Sequence, residues 1–175
     1  VLGPDGGTVA CDTPVWPGDQ YYADLACTQD IETARALLAE AGYPDGIQLD
    51  LFVSDLSQDW LPMAEVYQQQ AAEAGIEVNI IQTPSDGYYS DVWMVEPFTA
   101  TAWGQRQADQ ILNEAYRGGA DWNETFWNDP EFDALLDRAR SESDAEARSA
   151  LYHEIQQTIW EDGGSLIPFF VNSVD

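Results

Sequence analysis

The feature that most constrains the fold is a strand, a helix and a second strand in close succession between residues 47 and 81. The stretch "IQLDLFV" (47–53) alternates apolar and polar residues with the period of two that a strand requires. A helical segment follows over 60–74 and ends at Gly75, and "IEVNII" (76–81) is a second strand pattern. A helix between two strands this close in sequence forms a βαβ unit, so the strands are expected to be parallel with a right-handed crossover.

The rest of the chain continues this alternation of helices and strands. A helix is predicted over 30–42, a short helix near 85–95 and further helices over 107–117, from Asp129 onwards and over 144–161. Strands are predicted over 97–103 and 165–171, with Pro168 placing the last strand at a sheet edge or at a bend. Residues 1–27 and 118–128 have the Gly and Pro content of loops. The sequence therefore predicts an α/β fold, and 175 residues suit one domain.

The charge balance excludes several classes of partner. The chain has 32 acidic residues, six arginines and no lysine, so its net charge is −26. Such a surface repels nucleic acids and anionic membranes, so no nucleic-acid partner is expected. The acids are spread over the whole chain, which favours adaptation to salt over one functional acidic patch.

No apolar run reaches the length of about 18 residues that a membrane span needs. The abrupt start and end suggest a piece of a larger protein.

The sequence carries no catalytic or cofactor motif. Nucleophile-elbow, phosphate-loop, dinucleotide-binding, zinc-protease and calcium-loop patterns are all absent. The one histidine, His153, lies within a predicted helix and is expected at the surface or in helix packing. We therefore expect no enzyme activity, no cofactor and no metal site.

Two cysteines, Cys11 and Cys27, flank a turn-rich stretch. They have no neighbours with metal-ligand spacing, so they form either a disulfide or two unrelated buried thiols. A disulfide closing this loop would stabilise the fold by about 3 kcal/mol on the chain-entropy model.

Tryptophans and one arginine mark the candidate binding site. Trp103 ends the strand predicted over 97–103, and Trp122 lies in a polar loop, where a side chain can line a cleft. Arg106 follows three residues after Trp103. An aromatic wall beside a guanidinium suits a small ligand with a carboxylate or carbonyl group, although each tryptophan has core packing as its alternative.

Three long phrases carry a family resemblance. These are "ARALLAEAGYPDGIQLDLFV", "AEVYQQQAAEAGIEVNI" and "WNDPEFDALLDRARSESDAEARSALYHEIQQTIWEDGGSLIPFF". In this order they resemble the family 5 extracellular solute-binding proteins, the peptide and nickel receptors of ABC importers. The resemblance implies a periplasmic-binding-protein-like (type II) lobe with a mixed sheet flanked by helices. Residues 1–175 would form one lobe, the C-terminal one of a two-lobe receptor, and residues 1–27 its loop-rich first segment.

The resemblance also implies function and location. Such receptors are monomers in the periplasm or at the cell surface, and they pass a small solute to a membrane permease. An exported protein favours the Cys11–Cys27 disulfide. The alternative is a non-transport sensor or interaction module built on the same lobe, and a metal chelate is a rival ligand.

One departure from the family pattern bears on the ligand. Peptide receptors of the family carry an aspartate after the Trp-Gly-like strand end, whereas this chain has "WGQRQAD" with Arg106 near that place. An arginine favours a carboxylated, opine-like ligand over the ammonium of an ordinary peptide. The alternative is that Arg106 pairs with a neighbouring acid such as Asp109 or Asp121. The expected ligand-binding residues are Trp103, Arg106, Asp109, Trp122 and Asn123.

Overall fold

The computed structural model describes residues 6–172, and its internal contacts divide the chain into two units. Unit 1 contains residues 28–102, and unit 2 combines residues 6–27 with residues 103–172. The assignment of residues 1–175 to one lobe of a larger receptor stays a prediction.

Unit 1 is built on the predicted βαβ unit. Strand β2 (Ile47–Ser54) pairs in parallel with β3 (Ile76–Thr83), and helix α2 (Trp60–Glu73) connects them. Leu51 and Val53 of β2 and Val78 of β3 are buried against α2, as their alternation predicted. The parallel arrangement is confirmed.

The first helix of unit 1, α1 (Ile31–Glu40), lies within the helix predicted over 30–42. The carboxylate of Asp30 accepts a hydrogen bond from the backbone N–H of Thr33 at 2.9 Å, which satisfies one free donor of the first turn. A short helix, α3 (Tyr88–Asp91), follows β3, also as predicted.

The prediction of a strand over residues 97–103 is wrong. Only Thr99 forms a bridge, to Phe52 of β2, and the segment otherwise lacks strand pairing. Pro97 has no N–H to donate, and the Tyr88 hydroxyl donates to the carbonyl of Ala100 at 2.6 Å. The Tyr88 hydroxyl thus bonds to the carbonyl that would accept the next backbone hydrogen bond if the strand pairing continued. Trp103 accordingly does not end a strand, and it packs against the core of unit 2.

Three helices form the core of unit 2: α4 (Ala108–Ala115), α5 (Pro130–Ser141) and α6 (Ala145–Asp162). Helices α5 and α6 begin where predicted, and the carboxylates of Asp129 and Asp144 cap them. The predicted core residues of α5 are buried: Phe132, Leu135, Leu136 and Ala139.

A strand pair that the sequence did not predict joins the two ends of unit 2. Strand β1 (Gly7–Val9), within the segment predicted to be loop, pairs antiparallel with β4 (Phe169–Val171). The final strand begins just after Pro168, whose carbonyl accepts from the Ala10 N–H at 3.1 Å. The fold class is therefore α/β as expected, and the described strands form two separate pairs, one parallel and one antiparallel.

Residues 10–27 of unit 2 lack helix and strand, and side chains hold them in place. Cys11 and Cys27 form a disulfide with Cα atoms 5.4 Å apart. Asp19 caps α4 from a distance, since its Oδ2 accepts from the Ala108 N–H at 3.0 Å. Gln156 of α6 is fully buried and bonds to three residues of this segment.

Candidate functional site

Two predicted site tryptophans lie together in unit 2. The rings of Trp103 and Trp122 meet edge to face, with centroids 5.8 Å apart. Trp103 Nε1 donates to the Glu124 carboxylate at 2.9 Å, which ties it to the loop that carries Trp122. Trp122 is 47% exposed, so a large apolar surface remains accessible on this unit.

Asn123 organises the loop around Trp122. It is 3% exposed, and its amide nitrogen donates to the carbonyls of Arg117 and Trp127 at 3.1 and 2.7 Å. Its Oδ1 accepts from the Thr125 hydroxyl at 3.3 Å. The expected role of Asn123 as a ligand-binding residue stays a prediction. Its hydrogen bonds hold the loop and thereby position Trp122.

The same loop presents another aromatic residue that the sequence reasoning missed. Phe126 is 69% exposed and has a φ of 54°, a left-handed conformation that is costly for an aromatic residue. Nothing local in "NETFWN" distinguished Phe126 from a core aromatic.

Arg106 lies just before α4, and Glu114 of that helix is its ionic partner. Arg106 Nε is 3.5 Å from Glu114 Oε2, and Nη1 donates to the carbonyls of Gly104 and Gln105. The alternative that Arg106 pairs with a neighbouring acid is therefore correct, but the acid is Glu114 rather than Asp109 or Asp121. No sequence pattern identified Glu114 as the partner, because Arg106 precedes the helix and helical spacing does not relate the two.

The Asp109 carboxylate contacts side chains of two other helices. Its carboxylate is 3.0 Å from Arg140 Nε of α5 and accepts from the Tyr152 hydroxyl of α6 at 3.0 Å. Burial, followed by the charge of Asp109, raises the pKa of Tyr152 above its ordinary value, so the phenol stays a neutral donor. Asp109 thus connects three helices, and its role as a ligand contact stays a prediction.

His153 is exposed on α6, which agrees with the surface or helix-packing position expected of it. Within residues 6–172, no three His, Cys, Asp or Glu side chains are grouped so that they could hold a metal ion. Over the same range, no helix is both long and apolar enough to cross a membrane.

Comparisons with known proteins identify the family. Residues 4–138 match the model of the bacterial extracellular solute-binding proteins, family 5 Middle. The glutathione-binding protein GsiB of Pectobacterium atrosepticum is 27% identical over 145 residues, which cover 76% of this chain and 28% of GsiB. Heme-binding protein A of Haemophilus influenzae is 30% identical over 137 residues, 73% of this chain and 25% of that protein.

A solved structure supports the same relationship. HbpA2 from Haemophilus parasuis superposes with a TM-score of 0.80 at 25% identity, covering 95% of this chain and 34% of HbpA2. The chain thus spans about a quarter to a third of these relatives. The predicted fold, a type II periplasmic-binding-protein architecture, is confirmed. The chain belongs to the bacterial extracellular solute-binding proteins of family 5, which are binding proteins and not enzymes.

Proposed function

We propose that this chain is part of the substrate-binding component of an ABC importer. It captures a small peptide or a carboxylated, opine-like solute and delivers it to a membrane permease. The observation that carries the proposal is the Trp103–Trp122 pair, of which Trp122 is exposed, close in sequence to Arg106 in a chain of this family. Glutathione and heme, the ligands named for two relatives, both contain carboxylates and differ greatly in shape.

Each side chain has a distinct task in this proposal. Trp103 and Trp122 provide an apolar wall, and Arg106 pairs with a ligand carboxylate. Charged hydrogen bonds of this type contribute about 1.5–3 kcal/mol each. Asn123 and Glu124 act through the tryptophans, by positioning the loop and the Trp103 ring.

The remaining parts of the proposal concern the whole receptor. The solute binds between this lobe and a second one, and contacts to both lobes shift an open–closed equilibrium towards the closed state. The receptor is a monomer in the periplasm or at the cell surface, where the acidic chain faces the external medium. A permease and an ATPase encoded beside its gene would support transport over the sensor alternative.

The test is ligand-induced thermal stabilisation. The protein is screened against glutathione, dipeptides, acidic amino acids, opines and sugar acids, and each hit is repeated with Arg106→Ala. Arg138→Ala is the matched control, since Arg138 is exposed on α5. We expect the Arg106 variant to bind a carboxylated hit at least tenfold more weakly than wild type, and the Arg138 control to bind it with wild-type affinity. Equal loss in both variants, or none in either, would reject Arg106 as the ligand contact.

Tryptophan variants test the apolar wall separately. Trp122→Ala should weaken the same hit, while Trp160→Ala, which removes an exposed tryptophan of α6, should not. Equal affinities of the two variants would argue against the proposed wall.

A further inference from the structure

The ion pair between Arg106 and Glu114 has unusual geometry. Arg106 Nε and Glu114 Oε2 are shielded from solvent and lie 3.5 Å apart, yet neither atom has a hydrogen bond within the described chain. About one third of each side chain is nevertheless exposed. The two charges are thus close enough to attract each other without the alignment that makes an ion pair strong.

The other arginine pairs show what better alignment looks like in this protein. Among the four ion pairs within residues 6–172, the other three have N–O distances of 3.1, 2.6 and 3.0 Å, and all three include a hydrogen bond. The Arg106–Glu114 pair is the longest of the four and the one without a hydrogen bond. It is therefore the pair that loses no direct hydrogen bond when an incoming carboxylate replaces its acid.

The surroundings hold Glu114 more firmly than Arg106. Glu114 Oε1 accepts from Gln110 Nε2, one turn earlier on α4, at 2.8 Å. Arg106 Nη1 donates to its own loop carbonyls at 3.3 and 3.2 Å, longer than the usual distance of about 2.9–3.0 Å. The carboxylate is fixed to the helix, whereas the guanidinium is held by longer hydrogen bonds to its own loop.

We propose that Glu114 is a specificity-determining residue: it holds Arg106 in the ligand-free protein and competes with a ligand carboxylate for the guanidinium. This inference rests on the proposed function, because it assumes that Arg106 meets the ligand. The competition lowers affinity for weakly placed carboxylates and leaves neutral ligands unaffected. Glu114 therefore sets how strong a carboxylate contact must be before a solute is retained.

The first test needs no ligand. Phenylglyoxal modifies arginine, and a chain with six arginines and no lysine allows each site to be followed by peptide mapping. Glu114→Gln keeps a side chain that can bond to Gln110 and removes the charge facing Arg106. We expect modification at Arg106 to become at least threefold faster, with Arg138 unchanged. Glu131→Gln, on exposed α5 surface, is the control. An unchanged rate at Arg106 would overturn the proposal.

The second test measures competition with glutathione as the probe. Titration of wild type, Glu114→Gln and Arg106→Ala should show roughly three- to tenfold tighter binding in the Glu114 variant and a loss in the Arg106 variant. Arg106-dependent binding that is no tighter in Glu114→Gln would contradict the competition. If glutathione binding does not depend on Arg106, the proposed ligand contact is rejected and the competition with it. The modification rate then still decides whether Glu114 holds the guanidinium.

Discussion

Replacing Gln156 by methionine is expected to loosen residues 10–27 from helix α6. Gln156 is fully buried and makes four hydrogen bonds: Nε2 donates to the carbonyls of Tyr21 and Tyr152, and Oε1 accepts from the Thr13 hydroxyl and the Ala23 N–H. Methionine has a similar length and shape but none of these polar groups. The substitution therefore removes the hydrogen bonds while it largely preserves the packed volume.

The size of the effect follows from the groups left without partners. The Ala23 N–H and the Tyr21 carbonyl lose their bonds to Gln156, and each such buried backbone group costs about 1–3 kcal/mol. The apolar methionine offsets about 1–2 kcal/mol of that cost through its own burial. Two such groups cost about 2–6 kcal/mol together, so with this offset we expect a net loss centred on about 2–3 kcal/mol in the free energy of unfolding.

The assay combines urea unfolding with amide hydrogen exchange. Exchange at the Ala23 amide should accelerate in Gln156→Met, because that N–H loses its acceptor in the interior. Gln157→Met is the matched control, since Gln157 is the next residue on α6 and bonds only to exposed Glu161. It should change the unfolding free energy by less than about 0.5 kcal/mol.

Equal stability of the two variants, with the Ala23 amide still protected, would refute this reasoning. It would mean that the disulfide and β1–β4 pairing hold residues 10–27 without the buried amide.

Three further predictions concern the same unit. Replacing Cys11 and Cys27 together by alanine should lower the free energy of unfolding by about 3 kcal/mol relative to the disulfide-bonded wild type. Urea titration of both proteins under non-reducing conditions measures the difference, and equal stability would contradict the prediction. Asp19→Ala should cost about 1 kcal/mol and increase exchange at the Ala108 amide, because α4 loses its cap; a protected amide would contradict this. Burial raises the pKa of Asp12, so its charged form destabilises the folded state at neutral pH. Asp12→Asn keeps the acceptor and tolerates the positive φ, so it should raise the Tm at pH 7, and the gain should vanish below about pH 4, where the carboxyl is protonated in both states. A gain that persists at low pH would point to another cause.

Much of the local structure could be predicted from short stretches of sequence. The alternation in 47–53 and 76–81 predicted two strands, and Asp30, Asp129 and Asp144 marked the starts of three helices. Capping and apolar periodicity are interactions between residues a few positions apart, so the sequence contains them directly. The family resemblance likewise depended on the order of such segments along the chain.

The candidate site was only partly predictable. The tryptophans and Arg106 stood out by residue type, and Trp103 and Trp122 do lie in contact. The acids that complete their surroundings, Glu114 and Glu124, are two among 32 carboxylates, and no spacing rule selects them. The partner of a scarce cation depends on which acid the fold brings near it.

The amino-acid sequence by itself determined the helices, the parallel strand pair and the family, because each rests on local patterns or on their order. Only the tertiary structure decided the pairing of β1 with β4, the contacts of Gln156 with residues 13–23 and the Asp19 cap on α4. These contacts join residues about 90 to more than 140 positions apart. A buried polar group needs a partner, but which one it meets is settled by how the helices pack and where the disulfide-closed segment comes to lie.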